Sequence, residues 1–307
     1  MPDPRSLRLM LEKFEFLIAL ARERHFRRAA EACGVTQPTL SAGIRALEET
    51  LGAALVNRGS RYVGLTPEGE RVLDWARRMT GDAHAMRQEI DVLKRGVAGV
   101  IRLACIPTAL PIAARLCTTL AERHAGVSFS IQSASSKAIA SMIADFQVDG
   151  GLTYLESEPA PGMAATPIYA EAYRLVTATD GLFFGRSEVR WAELSELPLC
   201  LFTSDMQNRR IVDQMLLDHA GGPAVVSTET NSSLVMAALV SSGRWASIMP
   251  PVLIDAIALG SNVRRLPIVD PVMTHSVGLL VSDREPMTPL VRALGVAARE
   301  LGQQLQG

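Results

Sequence analysis

Apolar side chains recur at helical spacing through the first part of the chain. Between residues 7 and 24 they fall three or four positions apart, which predicts a helix with one apolar face. A shorter apolar stripe runs from Phe26 to Cys33, and Gly34 suits the left-handed position that commonly ends a helix. The first 34 residues therefore predict a long helix followed by a short one.

A third helix is predicted three residues later. Thr36 can cap its start, Pro38 fits its first turn, and Gly52 can close it. Its outward positions are mostly small or polar, as insertion into the major groove of DNA requires. Residues 55–66 then fit two short strands around a Gly-Ser turn. This order of elements predicts a winged helix-turn-helix.

The next segment predicts a long helix with a narrow apolar seam. Thr66 can cap its start, and apolar residues follow at alternating steps of four and three over three heptads. A seam this narrow needs a second helix to cover it, and a partner subunit is the simplest source. The alternative is packing on the protein's own core. The positions assigned to dimerisation are Val72, Met79, Met86, Ile90 and Leu93.

After Gly96 and Gly99 the pattern changes to strands that alternate with helices. This order favours an α/β domain with a largely parallel sheet, and the number of elements fits two lobes. The predicted limits are 1–65 for the winged helix-turn-helix, 66–96 for the linker helix and 97–307 for the αβ domain. Within the αβ domain, lobe I is predicted at about 97–169 and 267–307, and lobe II at about 170–266.

Charge and cysteine usage narrow the classes of function. Residues 1–96 carry 16 basic and 13 acidic side chains, whereas residues 97–307 carry 15 and 19, so only the first part suits a polyanion. The four cysteines are scattered without metal-ligand spacing, as are the five histidines. Charges interrupt every long apolar run, so no membrane segment or secretion signal is expected, and a cytoplasmic location follows.

Residues 26–70 resemble the N-terminal domain of LysR-type transcriptional regulators. The matching features, in order and spacing, are Ala29-Ala30, Thr36-Gln37-Pro38, Ser41, Ile44, Leu47-Glu48, Leu51-Gly52, Asn57-Arg58 and Leu65-Thr66-Pro67-Glu68-Gly69. The αβ remainder has the length that the family would require, so the resemblance covers essentially the whole chain. The sequence departs from the family pattern at Gly43, where a long polar residue is common.

The resemblance implies a regulator of the α/β class with three parts: a winged helix-turn-helix, a dimerising linker helix and an effector domain like a periplasmic binding protein. It also implies binding to double-stranded promoter DNA, assembly as a dimer of dimers, a small-molecule effector, and RNA polymerase as a further candidate partner. The sequence alone yields the DNA-binding domain and the seam, but not the tetramer.

The candidate DNA-binding residues lie on the second and third helices and beside the wing. Gln37 can contact adenine through its amide, and the arginines suit phosphates. The full set is Arg27, Arg28, Thr36, Gln37, Pro38, Thr39, Ser41, Arg45, Arg58 and Arg61.

The candidate effector-binding residues are hydroxyl and amide side chains at predicted helix starts, where free N–H groups and the helix dipole favour anions. They are Thr108, Ser135, Ser136, Thr203, Ser204, Asn208 and Asn231. Lys137 and Arg209 would add positive charge, so a small carboxylate is the expected effector. No other cofactor or metal is expected.

Other functions fit the sequence less well. The motifs GxSxG, HExxH, GxGxxG and the P-loop are missing from the sequence, which argues against an enzyme. A solute-binding protein without DNA binding would need a signal peptide and no helix-turn-helix. A thiol-redox regulator of the same architecture would need an exposed, reactive thiolate, whereas Cys105, Cys117 and Cys200 fall in apolar strands or helices.

Overall fold

The computed structural model describes residues 4–58, 62–155, 161–181, 183–222, 225–257 and 259–306. Its contacts separate two compact units. The first is formed by residues 1–96 with two short segments, 144–147 and 286–289, and the second by the rest of the chain.

The first unit is mainly helical. Its elements are α1 (Pro4–Glu23), α2 (Phe26–Ala32), α3 (Gln37–Leu51), β1 (Val56–Arg58), β2 (Tyr62–Leu65) and α4 (Pro67–Arg95). The strands β1 and β2 form an antiparallel hairpin. The core lies between α1, α2, α3 and the start of α4, where Leu17, Leu40, Ile44 and Leu47 are completely buried. Burial of these apolar faces is the main source of stability for the unit.

The ends of the helices follow the local signals in the sequence. Thr36 Oγ1 accepts a hydrogen bond from the Thr39 N–H at the start of α3, and Thr66 Oγ1 accepts one from the Gly69 N–H at 2.9 Å at the start of α4. Gly52 ends α3 in the left-handed region with φ 66°. These contacts satisfy N–H and C=O groups that a helix leaves without partners at its ends.

A single carboxylate ties the end of α3 to the hairpin. Glu48 Oε1 accepts hydrogen bonds from the backbone N–H groups of Leu55, at 2.9 Å, and Val56, at 3.2 Å. Both Leu55 and Val56 are buried. The segment between α3 and the hairpin β1–β2 therefore forms hydrogen bonds with a side chain of the protein rather than with water.

The second unit contains two sheets with helices packed against them. The first sheet has the order β4-β3-β5-β13-β6, with β3 parallel to β4 and β5, and β13 antiparallel to β5 and β6. Its strands are β3 (Ala98–Cys105), β4 (Gly126–Ser133), β5 (Gly150–Tyr154), β6 (Met163–Glu171) and β13 (His275–Ser282). Its helices are α5 (Leu110–Arg123), which follows a 3-10 turn at Pro107–Ala109, then α6 (Ser136–Ala144) and α10 (Pro289–Gln306).

The second sheet has the order β11-β7-β12-β8, and the pair β10-β9 adjoins it through a parallel bridge between Leu199 and Ala246. Its strands are β7 (Arg174–Ala178), β8 (Val189–Arg190), β9 (Leu199–Phe202), β10 (Val226–Thr230), β11 (Ser247–Met249) and β12 (Val263–Val269). A 3-10 turn spans Trp191–Glu193, and the helices are α7 (Gln207–His219), α8 (Ser233–Ser241) and α9 (Pro251–Ala256). The chain passes between the sheets twice, from β6 to β7 and from β12 to β13.

The sequence pattern did not predict β6. Its residues are rich in alanine and include Pro167, both of which are unusual inside strands. The structure accommodates Pro167 because β6 is an edge strand and its pairing with β13 shifts register beside Pro167.

Candidate functional site

The third helix, α3, presents a small and polar outer face. Gln37, Pro38, Thr39 and Arg45 are exposed on it, while Ser41 is half-buried. Thr36 is also exposed, and its hydroxyl lies 2.8 Å from that of Thr39. The predicted base-contacting side chains therefore share one accessible face, and the completely buried Leu40, Ile44 and Leu47 fix the opposite face in the core.

Gly43 lies on the flank of α3 where a side chain would not fit. A Cβ at this position would come within 2.6 Å of Phe16 Cδ2 on α1. The absence of a side chain allows the Phe16 ring to pack directly against the backbone of the recognition helix. The departure from the family pattern at Gly43 is thus explained by packing between α1 and α3.

The predicted arginines around the helix-turn-helix differ in their surroundings. Arg27 and Arg28 are exposed at the start of α2, where Arg27 pairs with Glu31 at 2.9 Å and Arg28 donates to the Glu23 carbonyl. Such exposed pairs contribute little to stability, so these guanidiniums remain available to a phosphate. Arg58 ends β1 at the wing. Arg61 and the turn at residues 59–60 lie outside the described residues.

The apolar seam of α4 divides into two parts. Leu73 and Ala76 are buried in the core of the helical unit, and Val72 packs against that core. Val72 therefore has a contact within its own unit, and its assignment to dimerisation remains a prediction. Farther along, side chains of the seam are exposed within the described structure. They are Met79 at 36%, Met86 at 54%, Ile90 at 44% and Leu93 at 84%.

The predicted effector-binding residues occupy different environments in the second unit. Ser135 precedes α6 and its hydroxyl accepts from the Ala138 N–H, whereas the Ser136 hydroxyl is buried without a hydrogen-bond partner among the described residues. Thr203 and Ser204 lie before α7, whose N-cap is Met206. Asn231 is exposed just before α8. Thr108 and Asn208 are buried, and Thr108 belongs to the 3-10 turn rather than to the start of α5.

A cavity of about 560 Å³ lies between the starts of α5 and α8 and the helix α9. Most of its wall is apolar, and its polar lining comes from serine and asparagine side chains. The lining residues are Pro107, Leu110, Pro111, Ser133, Met206, Asn231, Ser232, Ser233, Leu234, Leu253, Ala256 and Ile257. Asn231 of the assigned set lines this cavity, and Ser133, Ser232 and Ser233, which lie beside the starts of α6 and α8, line it as well.

The two cations predicted to attract an anion do not line this cavity. Arg209 is buried and its guanidinium binds Asp213 at 2.8 Å, Glu229 at 2.5 Å and the Phe202 carbonyl at 2.9 Å. Its charge is therefore matched by two carboxylates, and its predicted attraction for an anion is corrected. Lys137 is exposed on α6.

A buried acid lies where the sequence suggested none. Glu171, the last residue of β6, is 1% exposed and accepts hydrogen bonds from the hydroxyls of Tyr154 and, at 3.1 Å, Tyr169. Burial raises the pKa of Glu171 to about 7, although the tyrosine hydroxyls, Thr108 and Asn208 favour its ionised form and lower that pKa in part. A glutamate between two tyrosines in an apolar stretch was the signal in the sequence that could have identified it.

Two family models match the chain. The bacterial regulatory helix-turn-helix model of the lysR family matches residues 11–70, and the LysR substrate binding domain matches residues 94–303. The chain belongs to the LysR family of transcriptional regulators. The family match confirms the winged helix-turn-helix, the αβ class and the DNA-binding regulatory function expected from the sequence. Members of this family are transcription regulators rather than enzymes.

Curated LysR-type relatives match along most of their length. A probable hydrogen peroxide-inducible genes activator from Streptomyces viridosporus is 30% identical over 246 residues, which cover 78% of this chain and 77% of the relative. The DNA-binding transcriptional dual regulator OxyR from Escherichia coli K12 is 25% identical over 290 residues, which cover 94% of both chains.

Solved structures of LysR-type regulators share the fold. A full-length OxyR variant from Pseudomonas aeruginosa superposes with a TM-score of 0.70 at 23% identity, covering 94% of this chain and 97% of that one. Full-length CbnR in complex with its target DNA gives a TM-score of 0.59 at 20% identity, covering 95% and 99%. At these identities the comparison establishes the architecture alone.

The cysteines of this LysR-type regulator lie in surroundings that disfavour thiolates. Cys105, Cys117 and Cys200 are buried, and burial raises their pKa values to about 12, 11 and 11. Cys33 is half-buried, and burial raises its pKa as well. A thiol near neutral pH reacts as its thiolate, which these environments suppress.

The residues that the structure describes bear on two further classes of protein, those with membrane-spanning helices and those with metal-binding clusters. No helix in those ranges combines the length and apolar content that crossing a bilayer needs. In the same ranges, no group of three or more His, Cys, Asp and Glu side chains is arranged to hold a metal ion.

Proposed function

We propose that this LysR-type regulator binds promoter DNA through α3 and the wing and changes its DNA binding when a small molecule occupies the αβ unit. We assign DNA binding to residues 1–65, dimerisation to the helix at 66–96 and effector binding to 97–307. The observation that carries the proposal is the outer face of α3, which combines an accessible amide, hydroxyls and a guanidinium on a helix whose inner face is completely buried. The setting is the cytoplasm, with RNA polymerase as a further partner.

Recognition of the DNA sequence is assigned mainly to Gln37, at the exposed start of α3. Its amide can form two hydrogen bonds with adenine in the major groove, and Thr39, Ser41 and Arg45 extend the same face. Pro38 offers apolar contact to a thymine methyl. Arg27, Arg28, Arg58 and Arg61 are assigned to phosphates, which set the register of the domain on DNA without reading sequence.

A gel-shift titration with the cognate promoter and with random DNA tests this division. Gln37→Ala should weaken cognate binding by about 1–3 kcal/mol and leave random DNA unaffected, because only the cognate site offers the matching base edge. Arg28→Ala should weaken both complexes and reduce the salt dependence, because it removes a phosphate contact. Equal losses on both DNAs for Gln37→Ala would show that it reads no base.

We infer that α4 dimerises through its exposed seam. Met79, Met86, Ile90 and Leu93 follow one another at steps of seven, four and three on a helix whose first turns are anchored in the core. A partner helix would remove these side chains from water, which the hydrophobic effect favours. Two dimers would then bring four DNA-binding heads together, in line with the tetramer that the family resemblance implies.

For the effector, the cavity beside α8 supports a small carboxylate with an apolar body. At the start of α8, the Ser232 hydroxyl accepts the Val235 N–H and the Ser232 carbonyl accepts the Met236 N–H, so the N–H groups of Ser233 and Leu234 are the ones assigned to an anion. The helix dipole favours negative charge there. The Ser233 hydroxyl is buried without a partner among the described residues, and Asn231 and Ser133 add donors nearby. The leucine, proline and isoleucine walls would hold the rest of the molecule.

The other predicted effector residues are proposed to lie near the effector rather than to bind it directly. Ser135, Ser136, Thr203 and Ser204 stand at the starts of α6 and α7 in the same unit. Thr108 and Asn208 face the buried Glu171, so they are assigned to the surroundings of that carboxyl rather than to direct contact with the effector.

Calorimetry with a panel of aromatic and branched aliphatic monocarboxylates tests the effector site. The expected result is binding that Asn231→Asp weakens about tenfold or more, because the new carboxylate repels the ligand, while the amide analogue of the same ligand binds both proteins equally. Binding of the acid that Asn231→Asp leaves unchanged would place the effector elsewhere.

The alternative is a thiol-redox regulator of the same architecture, because one relative is named a probable hydrogen peroxide-inducible genes activator. It would need a thiolate that is both accessible and ionised. Burial of Cys105, Cys117 and Cys200 and the raised pKa of Cys33 therefore favour ligand binding as the signal in this chain.

A further inference from the structure

The two passages of the chain between the sheets of the αβ unit meet at one point. Glu171 ends β6 just before the chain enters β7, and His275 begins β13 just after the chain leaves the second sheet. These two residues are paired directly across the β6–β13 ladder. Any change in the angle between the sheets must therefore pass through the backbone on either side of Glu171 and His275.

Side chains from both lobes surround the carboxyl at this point. From the first sheet, Tyr154 at the end of β5 and Tyr169 on β6 donate their hydroxyl protons to Glu171. From α7 beside the second sheet, Asn208 donates to the Tyr154 hydroxyl at 3.4 Å. The cluster thus forms a hydrogen-bonded path from one lobe to the other with Glu171 at its centre.

The aromatic rings close this cluster against water. Tyr173, on the connection to β7, lies 5.8 Å from the His275 ring, and Tyr154 lies 6.3 Å from it, both edge to face. Tyr173 also packs edge to face on Trp191 of the second lobe at 6.3 Å. A carboxylate in this environment loses its hydration, which is costly unless hydrogen bonds replace it.

The titratable groups that face Glu171 are all neutral near pH 7. Burial raises the pKa values of Tyr154, Tyr169 and Tyr173, and burial lowers the pKa of His275. Cys105 on β3 lies near Tyr169 and is likewise held neutral. Among the described residues, the contacts that lower the pKa of Glu171 and so favour its ionised form are hydrogen bonds from Tyr154, Tyr169, Thr108 and Asn208.

We propose that Glu171 is a proton-linked switch at the junction of the two lobes: the neutral acid favours the closed cluster, and the ionised form favours an opened arrangement in which water reaches the carboxylate. The proposal concerns the αβ unit itself and does not depend on which effector binds. It would make the response of the regulator sensitive to cytoplasmic pH.

The direction follows from linkage. The closed cluster holds the pKa of Glu171 at about 7, above the ordinary value near 4.5, whereas hydration in an opened arrangement would return the pKa toward that value. The arrangement with the lower pKa gains population as pH rises. Each unit of difference in pKa changes the opening equilibrium by up to about tenfold across the titration.

Hydrogen exchange of the full-length protein at pH 6 and pH 8, corrected for the chemical exchange rate, tests the switch. Peptides covering the end of β6, the start of β7 and the start of β13 should exchange at least about threefold faster at pH 8 than at pH 6, a change that needs the pKa to fall by about two-thirds of a unit on opening. Glu171→Gln, which mimics the neutral acid, should remove this difference. Glu196→Gln, at an exposed glutamate of the same αβ unit, should retain it.

A second variant keeps the proposal open to refutation if Glu171→Gln does not fold. Tyr169→Phe removes one hydrogen bond to the carboxylate, so the midpoint of the exchange transition should move to higher pH. A wild-type protein whose junction peptides exchange equally at both pH values would overturn the proposal. A pH dependence that persists unchanged in Glu171→Gln would also overturn it, because the proton would then reside elsewhere.

Discussion

Glu48 offers a sharp test of how the wing is held beside the recognition helix. Its Oε1 accepts the N–H groups of Leu55 and Val56, both of which lie in the core of the helical unit. Glu48→Ala leaves these two buried donors without that acceptor, at a cost of about 1–3 kcal/mol each. The sum, about 2–6 kcal/mol, is a large part of the roughly 5–15 kcal/mol by which a domain is stable.

Two variants separate the lost hydrogen bonds from other effects. Glu48→Gln keeps a carbonyl oxygen in place and should lose only about 1 kcal/mol, since a neutral acceptor is weaker than a charged one. Glu49→Ala removes an exposed neighbouring charge and should change stability by less than about 0.5 kcal/mol. Urea unfolding followed by helical circular dichroism, with exchange of the peptide covering 53–58 to report on this unit, measures the differences.

DNA affinity provides a second readout for the same variants. Removal of a negative charge near a polyanion should by itself tighten binding, because repulsion from the phosphates falls. Misplacement of the wing predicts the opposite, so Glu48→Ala should bind the promoter more weakly than Glu49→Ala. The reasoning is refuted if Glu48→Ala unfolds at the same urea concentration as Glu49→Ala and binds DNA as tightly.

Two further predictions concern α4. Met86→Glu should split the dimer in sedimentation experiments, because it places a charge in the exposed seam, whereas Arg87→Glu beside it should not; an unchanged profile for Met86→Glu would remove the seam from the interface. Gly69→Ala should lower the thermal stability of the helical unit by about 1–3 kcal/mol or more, because its Cβ would meet the Leu55 carbonyl oxygen at 2.0 Å, and full stability in differential scanning calorimetry would contradict that packing.

Local signals predicted the helical unit well because its elements begin and end through contacts between neighbours in sequence. The hydroxyls of Thr36 and Thr66 cap helices by accepting from N–H groups only three residues away, and Gly52 adopts the conformation that glycine alone adopts easily. The seam of α4 shows the limit of such reasoning. Its periodicity is uniform, yet the core of the same unit covers its first turns, which only the tertiary structure reveals.

The surroundings of the candidate effector residues were less predictable, because their charge and burial depend on residues that are far away in the sequence. Arg209 suggested an available cation, but Glu229, twenty residues away on β10, pairs with it. Glu171 gained its role from Tyr154 and from strand pairing with His275 about a hundred residues later. Helix starts are visible in a sequence, whereas the side chains that neutralise or desolvate a charge are brought there by the fold.

The packing of Phe16 against Gly43 bears on how the DNA specificity of this regulator can evolve. Gln37, Thr39 and Arg45 are exposed on α3, so they can be substituted without disturbing the core. Substitutions at these three positions are the simplest way to change which DNA sequence the helix contacts. A side chain at position 43 would force the Phe16 ring to shift, so position 43 is less open to substitution than the outer face. We therefore expect new promoter preferences to arise through substitutions on the outer face of α3. A substitution of Gly43 would need a compensating shift of Phe16.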